Sequence, residues 1–304
     1  MRYNRVTPGT TAGTPLLWER FSALLAGRRG RAIRDGLWIA GLLYLAFLTI
    51  ETILNGPAYD ARAYYDAHLG SLYVRPAAGS YDAYYYSPAF AQVLAPLTAL
   101  PWQVFIAVWM VIAAVALAWL AGPVLIFVLL FPPVVIELQV GNVHFLLGLT
   151  AALGIEYPAI WAFALLTKIT PGIGILWFAV RREWRGLLVA LGTTAAIVAV
   201  SFALAPSLWL DWLGALRANS GTSYEWPVLP IPLIVRLALA AALIAWGART
   251  NRRWTVPVGA TLALPLLWPA NWAMIVGVLP SIRRGLGRRS GLGRSAGGQP
   301  PSST

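Results

Sequence analysis

The densest chemistry in the sequence lies between two apolar runs, in the stretch from Asn55 to Pro101. It holds the carboxylates of Asp60, Asp66 and Asp82, the guanidiniums of Arg62 and Arg75, the imidazole of His68, and tyrosines at Tyr81, Tyr84, Tyr85 and Tyr86. A carboxylate a few residues beyond a membrane span reaches the headgroup layer, where it can take a proton from a hydroxyl as a general base. Asp60 has that position; the bland alternative is a solvated loop carboxylate. Asp60, Tyr64 and His68 recur every four residues, which puts them on one face of a short helix over Ala58–Leu72. Such a helix fits the membrane interface, with its tyrosine rings at headgroup depth.

Further polar groups stand where apolar ones are the rule. Lys168, the sole lysine, sits in the run ALLTKITPG. An ionisable group there costs about 3 kcal/mol, which points to function, to snorkelling, or to pairing with Glu137. Arg236, within Val228–Ala248, raises the same question and can bind a lipid phosphate. Gln139, Gly141 and Asn142, in ELQVGNVHF, fall where one apolar run ends and the next begins, and suit either a sugar or a helix cap. A later polar stretch holds Asp211, Arg217, Asn219, Ser220, Tyr224 and Glu225. Trp209 and Trp212 flank Asp211, as in an interfacial helix.

Other chemistries find no support. Cysteine is absent, which excludes disulfides and thiolate metal sites. The two histidines, His68 and His144, lack metal-ligand spacing. No Gly-rich phosphate loop, HExxH or GxSxG pattern occurs, and no DxD pair supports a metal-bound nucleotide-sugar donor. Neither a cofactor nor a metal is expected.

The elements that must position these groups are apolar. Hydrophobic residues make up 59% of the 304 and charged residues 11%, against about 25% charged in soluble chains. Repeated runs near bilayer length place the chain in the polytopic membrane class. The net charge of +12 gathers in clusters at Arg28–Arg34, Arg181–Arg185, Arg249–Arg253 and Arg283–Arg294, each at the end of an apolar run. That pattern fits cytoplasmic loops facing anionic lipid, and not nucleic acid.

In order, residues 1–36 read as a basic cytoplasmic lead-in and Leu37–Leu54 as an uncleaved first span. An outer loop follows over 55–86. Ser87–Leu100 then returns inward, Trp102–Ala121 goes out, Pro123–Leu138 comes in, Asn142–Ile155 goes out and Pro158–Val180 returns. Trp184–Ala205 leads to a second outer loop over 206–226. Val228–Ala248 comes in, and Trp254–Trp268 with Ala270–Ile282 forms a last pair. The expectation is an all-α polytopic membrane protein of roughly ten spans. Its membrane domain covers 37–282, both termini are cytoplasmic, and 283–304 forms a disordered basic tail.

Taken in order, the motifs resemble glycosyltransferase family 87, a group of membrane mannosyl- and arabinofuranosyltransferases. The resemblance begins at Asp60-x-x-x-Tyr64 with Leu69-Gly70-x-Leu72-Tyr73. It continues through Tyr84-x-Tyr86-Ser87-Pro88-x-Phe90 and Pro96-Leu97-x-x-Leu100-Pro101 to Gln139-x-Gly141-Asn142 and Lys168-x-x-Pro171. Asn219-Ser220 and Asn271-Trp272 resemble two later elements, the last departing from the family at Ala273, where a His is usual.

The resemblance implies a GT-C-like bundle in a bacterial plasma membrane, with short interfacial helices in its first outer loop. It implies transfer of a sugar (mannose or similar) from a polyprenyl-phosphate donor to a lipid or glycan acceptor on the extracytoplasmic face. Asp60 is then the general base of an inverting displacement. Tyr64, His68, Tyr86, Gln139, Asn142, Lys168, Arg217, Asn219 and Arg236 are the expected substrate contacts. The competing class is a transporter or lipid-linked-sugar flippase, since a buried Lys and Arg also suit a translocation path.

Overall fold

The computed structural model describes residues 27–67, 72–73, 84–218 and 231–284, and every regular element among them is helical. Helix α1, Arg28–Asn55, carries the first apolar run and stops before Pro57, which has no amide to extend the ladder. Ile39, Leu43, Phe47, Ile50 and Leu54 remain exposed along it, as suits a helix solvated by lipid. The short α2, Tyr59–Tyr65, follows. It ends well before Leu72, so a helix stands where one was expected but is shorter. His68 lies outside the described residues.

Helix α3, Pro88–Thr98, has Pro88 in its first turn, where the missing amide costs nothing. Both its ends meet α2. Tyr86, just before it, touches Tyr64, and the Leu100 carbonyl just after it accepts the Tyr65 hydroxyl at 3.1 Å. The Ser87–Leu100 segment therefore does not cross inward as expected. In consequence α4, Trp102–Ala121, starts beside α2 and runs the opposite way to the sequence expectation. Its far end is held where Arg283 donates to the Trp119 carbonyl at 2.9 Å.

After a 3-10 turn at Gly122–Val124 come α5, Leu125–Val128, then α6, Pro132–Val140, and α7, His144–Leu153. The last two are one apolar stretch bent by 115°. The expected span Pro158–Val180 is in pieces: α8, Trp161–Thr167, a 3-10 stretch at Thr170–Ile175, and α9, Leu176–Arg181. Pro171, Gly172 and Gly174 account for the interruption. Helix α10, Trp184–Leu204, is continuous, and α11, Pro206–Ala218, lies in the expected second outer loop. Then follow α12, Leu233–Arg249, α13, Thr255–Leu262, and a 3-10 stretch over Pro269–Val278.

Three described stretches are long and apolar enough to cross a membrane: Arg28–Asn55, Trp102–Val128 and Trp184–Leu204. The bent α6–α7 pair makes a fourth only when it is counted as one span. The roughly ten spans read from the sequence are not seen as such: proline and glycine divide several of the remaining apolar runs, and α12 is a continuous helix of only 17 residues. At the centre, α7 packs against Pro269–Val278 with almost no space between backbones. A Cβ on Gly277 would lie 2.7 Å from the Gly148 carbonyl oxygen, and small residues are what permit such contact in lipid.

Three of the four basic clusters meet at one end. Glu156 accepts Arg253 at 2.8 Å and also Arg284, while Arg181 donates to the Ala248 carbonyl at 2.9 Å.

Candidate active site

The helix carrying Asp60 is moored by main chain. Ala58, at its N-terminus, takes a left-handed conformation with φ 41° and donates its N–H to the Gln139 carbonyl at 3.0 Å. Gly141 sits opposite at φ 69°, where a Cβ would come 2.8 Å from that of Ala61. Glycine is required there twice over, for its backbone and for the approach of α2. The indole of Trp109 on α4 donates to the Gly141 carbonyl at 2.7 Å. The α6–α7 bend is thus fixed between α2 and α4.

Asn142 stands on that bend, buried. Its Oδ1 lies 3.0 Å from the Tyr64 hydroxyl and 3.2 Å from that of Tyr86, and accepts the Val143 N–H at 2.7 Å. The two phenol oxygens are themselves 2.8 Å apart. With Oδ1 so engaged, the amide NH2 is left to favour the ionised form of the Asp60 carboxyl. Tyr64 is only 1% exposed, so it is a wall of the site. Tyr86, Phe90 and Trp109 surround it edge-on at 5.1, 5.6 and 5.3 Å between centroids. Contacts of this kind contribute about 1 kcal/mol each beyond area burial.

Lys168 completes the cluster from the end of α8. Its Nζ lies 5.5 Å from the centroid of the Tyr86 ring, and its charge acts on Asp60. The next residue, Ile169, has φ 50° and ψ −66°, and Thr170 N–H donates back to the Lys168 carbonyl at 2.6 Å. This is a strained γ-turn, and a β-branched residue occupies it only where the surroundings enforce it. Ala58, Gly141 and Ile169 each lie within two residues of a polar group of the site.

The half-buried Asp60 carboxyl is held above its ordinary range by burial, with Lys168 opposing the shift. Glu137 adds to the rise, while His144 and Asn142 act against it. A carboxylate of raised proton affinity, partly open and beside a cation, is equipped to deprotonate a hydroxyl next to an anionic group.

Among the other expected contacts, Gln139 contributes its main-chain carbonyl while its side chain is exposed. Arg236 does not present a free guanidinium: it donates to the carbonyls of Ile231, Leu262, Leu264 and Pro265 at 2.6–3.0 Å. Arg217 lies exposed on α11, and Asn219 lies outside the described residues. Asn271 binds the Leu266 carbonyl at 2.6 Å.

One pair escaped the sequence reading. Glu137 and His144 are wholly buried and joined at 2.8 Å. Their only sequence signal is that they bracket Gly141-Asn142, two polar residues at a break between apolar runs.

An all-helical membrane bundle with a polar cluster gathered beside its first loop helix is a frame for membrane chemistry. The profile of glycosyltransferase family 87 matches residues 84–285, well over half of the chain, and the chain belongs to that family. Tyr86, Gln139, Asn142 and Lys168 lie inside the matched stretch, and Asp60 and Tyr64 precede it. No curated protein and no solved structure matches the chain. The protein is a membrane glycosyltransferase.

Proposed function

We propose that the protein transfers a sugar, mannose or one like it, from a polyprenyl-phosphate donor to a lipid or glycan acceptor on the extracytoplasmic face. The convergence of the Asp60 carboxylate, the Asn142 amide and the Lys168 ammonium from three separate elements carries this reading. Asp60 takes the proton of the acceptor hydroxyl as its oxygen attacks the anomeric carbon. The bond from that carbon to the phosphate oxygen breaks, and its electron pair leaves with the phosphate. Attack opposite the leaving group in a single displacement inverts the anomeric centre. Lys168 stabilises the charge growing on the phosphate.

Two further observations support the reading. An apolar cavity of about 420 Å³, lined by Leu165, Ile169, Ile173, Leu176, Leu187 and Leu237, begins next to Lys168 in the chain and suits a hydrocarbon tail. Asp60 lies beyond the end of α1 opposite to its arginines, which by the positive-inside rule faces away from the cytoplasm. A translocation path would need polar groups near mid-bilayer, whereas this cluster is built around the short helix just past the end of α1.

The test is transfer from labelled polyprenyl-phosphate sugars by the full chain in proteoliposomes. Asp60→Asn should lower kcat by about a hundredfold or more while donor binding persists. Wild-type rates in Asp60→Asn would remove the base assignment. Movement of labelled lipid across the bilayer without transfer would make the protein a flippase.

A further inference from the structure

Glu137 and His144 have no part in the displacement just described, yet their side chains are wholly buried. Glu137 is in the last turn of α6 and His144 is the first residue of α7. One carboxylate oxygen accepts the His144 backbone N–H at 2.8 Å. The other meets the imidazole Nδ1 at 2.8 Å, and a carboxylate partner places the proton on that nitrogen. In a straight helix residues seven apart are separated by about 10 Å along the axis. Here they touch because the chain turns by 115° between them.

The clamp therefore closes the bend, and what it encloses is Gly141-Asn142. Asn142 Oδ1 accepts the N–H of Val143, the residue before His144. The direction of its amide is tied to the same turn that Glu137 shuts. We infer that Glu137, gripped by His144, is a positioning residue for glycosyl transfer: it sets the α6–α7 bend so that Asn142 is held against Tyr64 of the helix that carries Asp60. This rests on the assignment of Asp60 as base.

A merely structural pair would behave differently. Replacing both members of a buried ion pair by apolar residues of similar size is often neutral for stability, whereas removing one member is costly. The variant Glu137→Leu/His144→Phe therefore keeps the packing and discards the clamp. Glu137→Gln does the reverse: its amide oxygen accepts the backbone N–H, and its NH2 faces the imidazole nitrogen once the ring proton moves to Nε2.

The assay follows transfer from labelled polyprenyl-phosphate mannose to an alkyl glycoside by the full chain in proteoliposomes, with thermal midpoints taken in parallel. The double apolar variant should keep its midpoint within a few degrees and its donor KM within about threefold, yet lose about thirtyfold or more in kcat, as misplacing a base does. Glu137→Gln should recover most of that loss. Adding Asn142→Ala to the apolar variant should cost nothing more, since both act through one contact. Should the apolar variant not accumulate, Glu137→Asp replaces it: one methylene shorter, it cannot reach both His144 atoms, and the same kcat loss is expected.

Wild-type kcat in the clamp-less variant, losses that multiply with Asn142→Ala, or a Glu137→Gln loss as large as that of the apolar variant would each overturn the inference. Asp60→Asn separates it from the reading on which it rests. Full activity there, or no transfer by the wild type, removes both. Loss of activity there with a fully active clamp-less variant removes only the role of Glu137.

Discussion

The main-chain amide of Ala58 donates to the main-chain carbonyl of Gln139 at 3.0 Å, so the helix bearing Asp60 is fastened to the bend bearing Asn142 by main chain as well as by Tyr64. The same seam needs Gly141. In Gly141→Ala the backbone at φ 69° costs about 1–2 kcal/mol, and the new Cβ would lie 2.8 Å from that of Ala61. Relief comes by pushing α2 away. We expect kcat to fall about tenfold or more, with a thermal midpoint lower by a few degrees, in transfer assays and melting curves run side by side.

The raised proton affinity of Asp60, caused by burial and opposed by Lys168, has two consequences of opposite sign. With Asp60 as the proposed base, transfer needs its carboxylate, so the acidic limb of kcat/KM should lie above the ordinary carboxylate range, and Lys168→Met should move it higher still. Stability runs the other way. A carboxyl whose folded pKa exceeds its unfolded one favours the folded state at low pH, and that contribution is lost as pH rises through the raised value. Asp60→Asn should therefore be inactive but more heat-stable than wild type near neutral pH, the difference vanishing below the unfolded value. An unchanged or lower midpoint at neutral pH would contradict this.

Lys168 is held by the γ-turn at Ile169 beside the Tyr86 ring, and its proposed partner is the leaving phosphate. Lys168→Met should raise the donor KM and also lower kcat, because charge on the phosphate grows toward the transition state. Equal rates with the methionine variant would place the phosphate elsewhere.

Arg236 makes the contrasting prediction. Its guanidinium serves four backbone carbonyls, so Arg236→Ala should destabilise the protein by about 3 kcal/mol. Lysine should not rescue it, because a point charge cannot match the planar fork. Weaker donor binding at an unchanged thermal midpoint would restore the role at a lipid phosphate that the sequence implied.

The polar members of the site were legible in the sequence because each was anomalous where it stood: Asp60 just past a span, Asn142 at a break, Lys168 alone in an apolar run. Family motifs gave Tyr64 and Tyr86. What could not be read was the path of the chain between them. Ser87–Leu100 and Asn142–Ile155 have hydropathy typical of crossings, and hydropathy does not distinguish a helix that traverses from one that turns back after eleven residues. Arg236 misled for a related reason. A buried guanidinium looks alike in sequence whether it awaits a phosphate or already caps carbonyls that proline and helix ends leave open. Glu137 with His144 was invisible because contact across a sharp bend has no periodicity.

The scant protein cover on α10 has a mechanical consequence. Only 11% of its most apolar window is buried, so its 21 residues are matched in length to lipid and not to neighbouring helices. At 1.5 Å per residue such a helix is about as long as an average hydrocarbon layer is thick. It leads directly into α11, whose Trp212 holds the Tyr85 carbonyl beside the site at 3.0 Å. Acyl-chain length thereby becomes a ruler for this protein. A thicker membrane should tilt α10 and with it shift α11, and a thinner one should leave the ends of α10 in water.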